Sequence, residues 1–156
     1  KDVTVVRGYR KDTFGLVGVR YVDNDEYADT GELWSLKLAL DEVRDEDQTL
    51  LVSYGDVLFN RFIVQALGES EGELAVVVDS QWRDGADQDR WTDYVTCSEP
   101  DSRRAFYRTI TLERVDHDVP EQQRHGEWTG FLRVAPSALP RVREATAELL
   151  ADAGRR

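Results

Sequence analysis

Cysteine is almost absent: Cys97 stands alone in 156 residues. A single thiol excludes an internal disulfide and suits a reducing compartment, so the chain reads as cytoplasmic. Flanked by Thr96 and Ser98, with no His-Cys cluster nearby, Cys97 reads as a small half-buried thiol rather than a nucleophile. Cations are scarce too, with 20 Lys and Arg against 31 Asp and Glu and a net charge of −11. Without a long basic stripe the chain is a poor match for a nucleic-acid duplex, and no nucleic-acid partner is expected. An acidic chain can still take a nucleotide, because bound Mg²⁺ supplies part of the compensating charge. Long apolar runs are missing, so no membrane partner is expected. Lys1-Asp2-Val3 leads straight into a strand-like run, without the pattern of a signal peptide. Also missing are a Gly-x-Ser-x-Gly elbow, a Gly-x-Gly-x-x-Gly turn and a Gly-x-x-x-x-Gly-Lys-Ser/Thr loop. There is no internal repeat and no low-complexity segment.

What is present is organised around residues 50–60, Leu-Leu-Val-Ser-Tyr-Gly-Asp-Val-Leu-Phe-Asn. The apolar run before Gly55 fits a strand buried on both faces, as in parallel sheets covered by helices. In open sheets of that kind ligands sit beyond the carboxyl ends of the strands. Asp56 would stand there beside a glycine that permits close approach, well placed to hold a hard cation such as Mg²⁺. The other reading is that Gly55-Asp56 only shapes a turn.

In chain order, residues 3–9 read as a strand, and residues 14–22 as an apolar stretch interrupted by Gly15 and Gly18. Asp29 and Glu32 have capping-box spacing, predicting a helix over 31–43 with Leu33, Leu36, Leu40 and Val43 on one face. Asn60 would cap a helix over 61–67 that ends near Gly68. Residues 73–79 predict a second buried strand, closed by Asp79. Residues 80–90 form a polar stretch with a turn at Asp84-Gly85. Strands are expected over 91–96, 105–115 and 126–135, with a polar loop over 116–126. Ser137 would cap a last helix with Leu139, Val142, Thr146 and Leu149 inside and Gly154 at its C-terminal end. Strands and helices alternate, then strands dominate, then a helix returns. That order predicts a three-layer α/β sheet with a parallel centre and a mixed edge.

Asp56 and Asp79, both closing strands, are the candidate metal ligands, although Asp79 also suits a capping role in the following loop. His117 and His125 lie in a polar loop without partners spaced for zinc and read as exposed loop residues. Trp82 or Trp91 could frame a pocket. Pattern alone stops at a cytoplasmic α/β domain with an acidic strand end.

Three segments together resemble a known family. Asn24-Asp25-Glu26-Tyr27-Ala28-Asp29-Thr30-Gly31-Glu32-Leu33-Trp34-Ser35-Leu36 is similar to the Asn-x-x-Tyr-x-x-Thr-x-x-x-x-Ser-Leu signature of sugar-phosphate and choline-phosphate nucleotidyltransferases. Ser53-Tyr54-Gly55-Asp56-Val57-Leu58-Phe59 resembles their metal-binding strand end, and Gly126-Glu127-Trp128-Thr129-Gly130-Phe131 their Gly-Glu-Phe-Thr-Gly stretch. The likeness is strongest to the cytidylyltransferase-like (MobA-like) domain attached to some bacterial phosphoenolpyruvate phosphomutases of phosphonate biosynthesis. The resemblance implies a Rossmann-like nucleotidyltransferase fold in which Asp56 is the catalytic residue that holds Mg²⁺ against nucleotide phosphates. It places Tyr27, Ser35, Tyr54 and Gly55 at the nucleotide or acceptor pocket and Glu127 and Thr129 on the acceptor side. The implied reaction is attack of a phosphate or phosphonate oxygen on the α-phosphorus of CTP, releasing pyrophosphate. Such transfer is mostly positioning and charge neutralisation, so no covalent nucleophile is needed.

The family's opening Leu-Ala-Ala-Gly-x-Gly-x-Arg loop and its Pro-Lys segment have no counterpart here, nor does its second acidic ligand after the last helix. Residues 1–156 are therefore expected to be a single, partial nucleotidyltransferase-like domain, inactive by itself. The phosphomutase's own Glu-Asp-Lys segment is absent as well. The alternative is a non-catalytic domain of the same fold that serves assembly or regulation beside a phosphomutase. A sheet edge left by missing strands would favour a homodimer.

Overall fold

The computed structural model describes residues 2–44, 47–84, 92–102 and 108–153. The chain is mixed α/β and forms two compact units, residues 1–48 with 135–156, and residues 49–134.

In the first unit, β1 (Thr4–Arg7) and β2 (Arg20–Asp23) form a parallel pair with Thr4 opposite Arg20. The second apolar stretch does not become one long strand. Gly18 turns the chain at φ 84°, and pairing starts only at Arg20. Arg7 holds the connection together. It donates to the Asp23 carboxylate and to the carbonyls of Lys11 and Phe14, and it lies 4.0 Å over the Tyr21 ring.

The first helix, α1 (Glu32–Asp41), packs against β1 and against the last helix, α3 (Leu139–Ala153). Gly31, not Asp29, is its N-cap, and no side chain caps it. The backbone amide of Asp29 instead closes a turn onto the Glu26 carbonyl at 2.9 Å, one turn too early for a capping box. Leu40 is buried, and residues 33–39 are all half-buried, so α1 has no sharply wet face. Ser137 lies inside a short 3-10 turn (Pro136–Ala138) ahead of α3 rather than capping the helix. Proline at the first position of that turn fixes φ and starts the turn before a serine cap can form. The inner side of α3 carries Leu139, Val142, Thr146 and Leu150. Leu149, expected inside, is 55% exposed. A 3.6-residue repeat running from Leu139 through Thr146 reaches the same face again at 150. Gly154 lies outside the described residues.

The second unit is a five-stranded sheet with one helix: β3 (Leu50–Ser53), α2 (Arg61–Glu69), β4 (Leu74–Asp79), β5 (Tyr94–Cys97), β6 (Leu112–Asp116) and β7 (Gly126–Val134). The nine-residue β7 is its spine. Val134 is opposite both Leu50 of β3 and Leu74 of β4, so those strands flank β7 on its two sides. At the other end Glu127 is opposite both Asp79 and Tyr94. Among the described residues every pairing in this sheet is antiparallel, and a parallel centre is not seen. Because β7 runs against both, β3 and β4 nevertheless share one direction, with β7 between them.

The strand β3 is not buried on both faces: exposure alternates along it, and Leu51 is 41% exposed. Among the described residues it pairs only with β7, which makes it an edge strand. Asn60 is the N-cap of α2 as expected, but its side chain makes no capping bond, and Gly68 lies within the helix. The buried apolar residues of this unit are Leu67, Val95, Cys97, Val119, Phe131 and Val134. The expected start of a strand at Trp91, the Asp84-Gly85 turn and residues 105–107 involve positions outside the described residues. No helix among the described residues is long and apolar enough to cross a membrane.

Candidate functional site

The sheet brings residues 53–59 and residues 126–131 side by side. Ser53 is in register with Phe131, the Tyr54 amide donates to the Gly130 carbonyl at 3.3 Å, and the rings of Phe59 and Phe131 meet edge to face at 5.0 Å. The Tyr54 ring tilts against Trp128, with centroids 5.6 Å apart. Gly130 has φ 81°, and a side chain there would strike the Tyr54 ring. The positive φ lies in a bulge: between Val76 and Val78 of β4 the register on β7 jumps from Leu132 to Trp128. A glycine is needed here both for its backbone conformation and for the close approach.

Beyond β3 the chain leaves the sheet at Tyr54-Gly55-Asp56, all exposed. Asp56 therefore reaches solvent at the carboxyl end of its strand. Asp79 closes β4, with its carboxylate accepting the Gln81 amide at 2.8 Å, the capping role that the sequence left open for it. Directly opposite on the ladder is Glu127, 9% exposed. Two carboxylates facing each other across an antiparallel pair repel, and a cation or a donor relieves that repulsion. Thr129 donates its hydroxyl to the Val77 carbonyl at 3.0 Å, bridging the bulge. Its one proton is committed there, and its oxygen can still accept.

The remaining predicted residues belong to the other unit and form a local network. Asn24, 4% exposed, accepts the Glu26 amide at 3.1 Å and donates to the hydroxyls of Thr30 at 2.9 Å and Ser35 at 3.4 Å. Thr30 in turn donates to the Glu26 carbonyl at 2.9 Å. The Asn, Thr and Ser positions of the resembling signature thus tie the turn after β2 to the first turn of α1. Tyr27 is 45% exposed, edge-on to Tyr9 at 6.1 Å. The burial of Asn24 as the hub of three groups follows from the Thr30 and Ser35 spacing only once the helix start is known.

One loop histidine departs from expectation. His125 is half-buried, and its Nδ1 accepts the amide of Cys97 at 3.0 Å. Burial, with the charge of Glu113 adding to it, pushes the Cys97 thiol above its ordinary pKa, which fits an inert thiol. Asp116, His117 and Asp118 bring ligand atoms within 4.8 Å of one another, and neither Asp56 nor Asp79 belongs to such a group of three among the described residues. Asp116 is held below the usual carboxylate range by the Asp118 amide and by Arg114. Compared with known protein families and with curated proteins, the chain matches none of them.

Proposed function

We propose that this chain carries the strand-end half of a Mg²⁺-dependent nucleotidyl transfer site, on a Rossmann-like nucleotidyltransferase domain of the cytoplasm. CTP is the nucleotide and a small phosphonate or phosphorylated compound is the acceptor, in a phosphoenolpyruvate phosphomutase-type protein of phosphonate biosynthesis. The observation that carries the reading is the adjacency of the Tyr54-Gly55-Asp56 corner and the Gly126–Gly130 stretch, two separated segments that the family resemblance joins. The shared direction of β3 and β4 also supports it, since both strands then end on the same side.

The donor set suits a hard cation: Asp56, Asp79 and Glu127 offer only carboxylate oxygens, with no thiolate or imidazole among them. When bound, Mg²⁺ would supply charge neutralisation at the nucleotide phosphates, with Asp56 as its holder and Asp79 as a second ligand. The acceptor oxygen forms a bond to the α-phosphorus of CTP, and the bond from that phosphorus to the pyrophosphate oxygen breaks. Tyr54, fixed between Gly130 and Trp128, forms a rigid wall beside this position. Glu127 and the Thr129 oxygen present acceptors toward the acceptor side. None of these groups has to act as a covalent nucleophile.

The test is pyrophosphate release from Mg²⁺-CTP in the presence of a phosphonate by the chain extended with the family's Gly-rich nucleotide loop, compared with and without Asp56→Asn. Release that vanishes in the variant supports the reading. Nucleotide binding without release favours the alternative, a non-catalytic domain, which the exposure of Asp56, outside any group of three ligands among the described residues, also fits. Release unaffected by the substitution contradicts the role of Asp56.

A further inference from the structure

Outside the strand-end corner, the second unit holds a cluster that the proposed metal site does not use. The rings of Trp82 and Tyr94 meet edge to face, with centroids 4.9 Å apart. The guanidinium of Arg124 stacks 3.8 Å over the Tyr94 ring and lies 6.0 Å from that of Trp82, and the guanidinium of Arg83 lies 4.6 Å over Trp82. Two cations thus converge on two rings in edge-to-face contact.

Among the described residues their charge is not spent on a carboxylate. Several other arginines of this acidic chain find carboxylates: Arg7 pairs with Asp23, Arg108 with Glu99 and Arg114 with Asp116. Arg83 and Arg124 have no carboxylate partner among the described residues. Each is anchored by one bond to a backbone carbonyl, Arg124 through Nε to Val119 at 2.7 Å and Arg83 through a terminal nitrogen to Glu121 at 3.4 Å. Stacking occupies the face of a guanidinium and leaves the N–H groups along its edge free to donate. The indole Nε1 of Trp82 is also buried, with no acceptor among the described residues. An orphaned donor of that kind calls for an explanation.

The support beneath Arg124 is rigid. On one side Thr96 donates to the Gln123 carbonyl at 3.2 Å, and on the other the His125 amide donates to the Val95 carbonyl at 2.8 Å. The segment carrying Arg124 is therefore laced to β5, the strand that carries Tyr94. A forked donor held in place beside aromatic walls is the arrangement that recognises a tetrahedral oxyanion.

We propose that Arg124 and Arg83, on the Trp82–Tyr94 platform, bind the dianionic PO₃ group of a small phosphonate or phosphate monoester. Tyr94 is opposite Glu127 on the ladder, which puts this anion subsite beside the acceptor side of the proposed transfer site. The acceptor role rests on the transferase reading; the anion site itself rests on the cluster alone.

The probes are methylphosphonate and methyl phosphate, titrated into the native 156-residue chain without nucleotide or Mg²⁺ and followed by calorimetry and tryptophan fluorescence. Saturable binding is expected, weakened about tenfold or more in Arg124→Gln and in Arg83→Gln, as loss of a charge-assisted donor pair implies. Arg114→Gln, which removes an arginine already paired with Asp116, is expected to leave binding unchanged. Retained far-ultraviolet circular dichroism in the variants separates lost binding from lost folding, and Arg83, exposed at its turn, supplies the second variant if Arg124→Gln unfolds. The tighter of the two probes identifies the acceptor class. Absence of saturable binding by either probe, or binding equally weakened by Arg114→Gln, overturns the proposal. A parallel Mg²⁺-CTP titration keeps the two ideas separate: nucleotide binding without anion binding sinks only this inference, and anion binding without nucleotide binding sinks only the transferase reading.

Discussion

The Tyr54 ring stands where a side chain at residue 130 would have to go, and Gly130 itself has a φ of 81°. Gly130→Ala meets two costs, a left-handed backbone without glycine and a collision with an aromatic ring. Strain of the first kind costs about 1–2 kcal/mol, and the collision adds to it. The expected result is a fall in unfolding free energy of about 2 kcal/mol or more in urea titrations. The Tyr54–Trp128 contact should loosen with it, read as a change in tryptophan emission. An unchanged midpoint would contradict the assigned geometry.

The bond from the Cys97 amide to His125 Nδ1 fixes a tautomer. Nδ1 accepts, so the neutral ring carries its proton on Nε2. Two-bond nitrogen–proton NMR spectra should show a protonated Nε2 and an unprotonated Nδ1 for this residue. The imidazolium cannot accept that bond, and His125→Ala loses it, with an expected cost of about 1 kcal/mol. An Nδ1–H tautomer at neutral pH would refute the assignment.

Arg143 of α3 donates to the carbonyls of Leu40 at 3.0 Å and Val43 at 3.2 Å at the end of α1, where the Leu40 carbonyl also accepts the Val43 amide at 3.3 Å. Arg143→Met keeps much of the apolar stem but removes these bonds. The expected destabilisation is about 1.5–3 kcal/mol, the range for hydrogen bonds to charged groups. Equal stability of the two proteins would mean that the end of α1 is satisfied some other way.

Asp23 and Lys11 give the first unit a defined pH response. Desolvation pushes the Asp23 pKa up, but the bonds from Arg7 and Lys11 outweigh it and leave the carboxyl below its ordinary value. Its contribution to stability is therefore present above the unfolded-state pKa and is lost as pH falls through the lower folded-state value. The Lys11 pKa is raised, first by its bond to Asp25 and then by that to Asp23, so its contribution is lost only at alkaline pH, above its ordinary value. Both groups are exposed, and the effects are modest and screened by salt. Asp23→Asn should flatten the loss of stability on the acid side, below about pH 4. An unchanged acid limb would show that this pair does not contribute.

Much of the second unit was legible in the residues. The apolar run before Asp79 and the strand-like stretch after Gly126 give β4 and β7 close to their observed ends, and Asn60 marks the start of α2. What could not be read was pairing. The run Leu50–Ser53 looks the same in a buried parallel strand and in an antiparallel edge strand, because β7, the partner that decides, lies some eighty residues away. The Asp29 capping box failed for a local reason that sequence spacing hides. Asn24 and Thr30 already tie up the turn, and the helix starts after them at Gly31. At the candidate site, the position of Asp56 at a strand end was legible from Gly55-Asp56. The Tyr54–Gly130 packing and the Trp82–Tyr94–Arg124 cluster were not, since they join residues brought together only by the sheet.

The central claim is that Asp56, at the corner locked by Tyr54 and Gly130, serves a metal-bound nucleotide. Calorimetric titration of CTP into this chain, with Mg²⁺ and with EDTA, tests it most directly when Asp56→Asn is run alongside. The account predicts saturable binding that requires Mg²⁺ and weakens at least about tenfold in the variant, the effect of losing one charged ligand. Binding that survives both EDTA and the substitution, or no binding by the native chain, would contradict it.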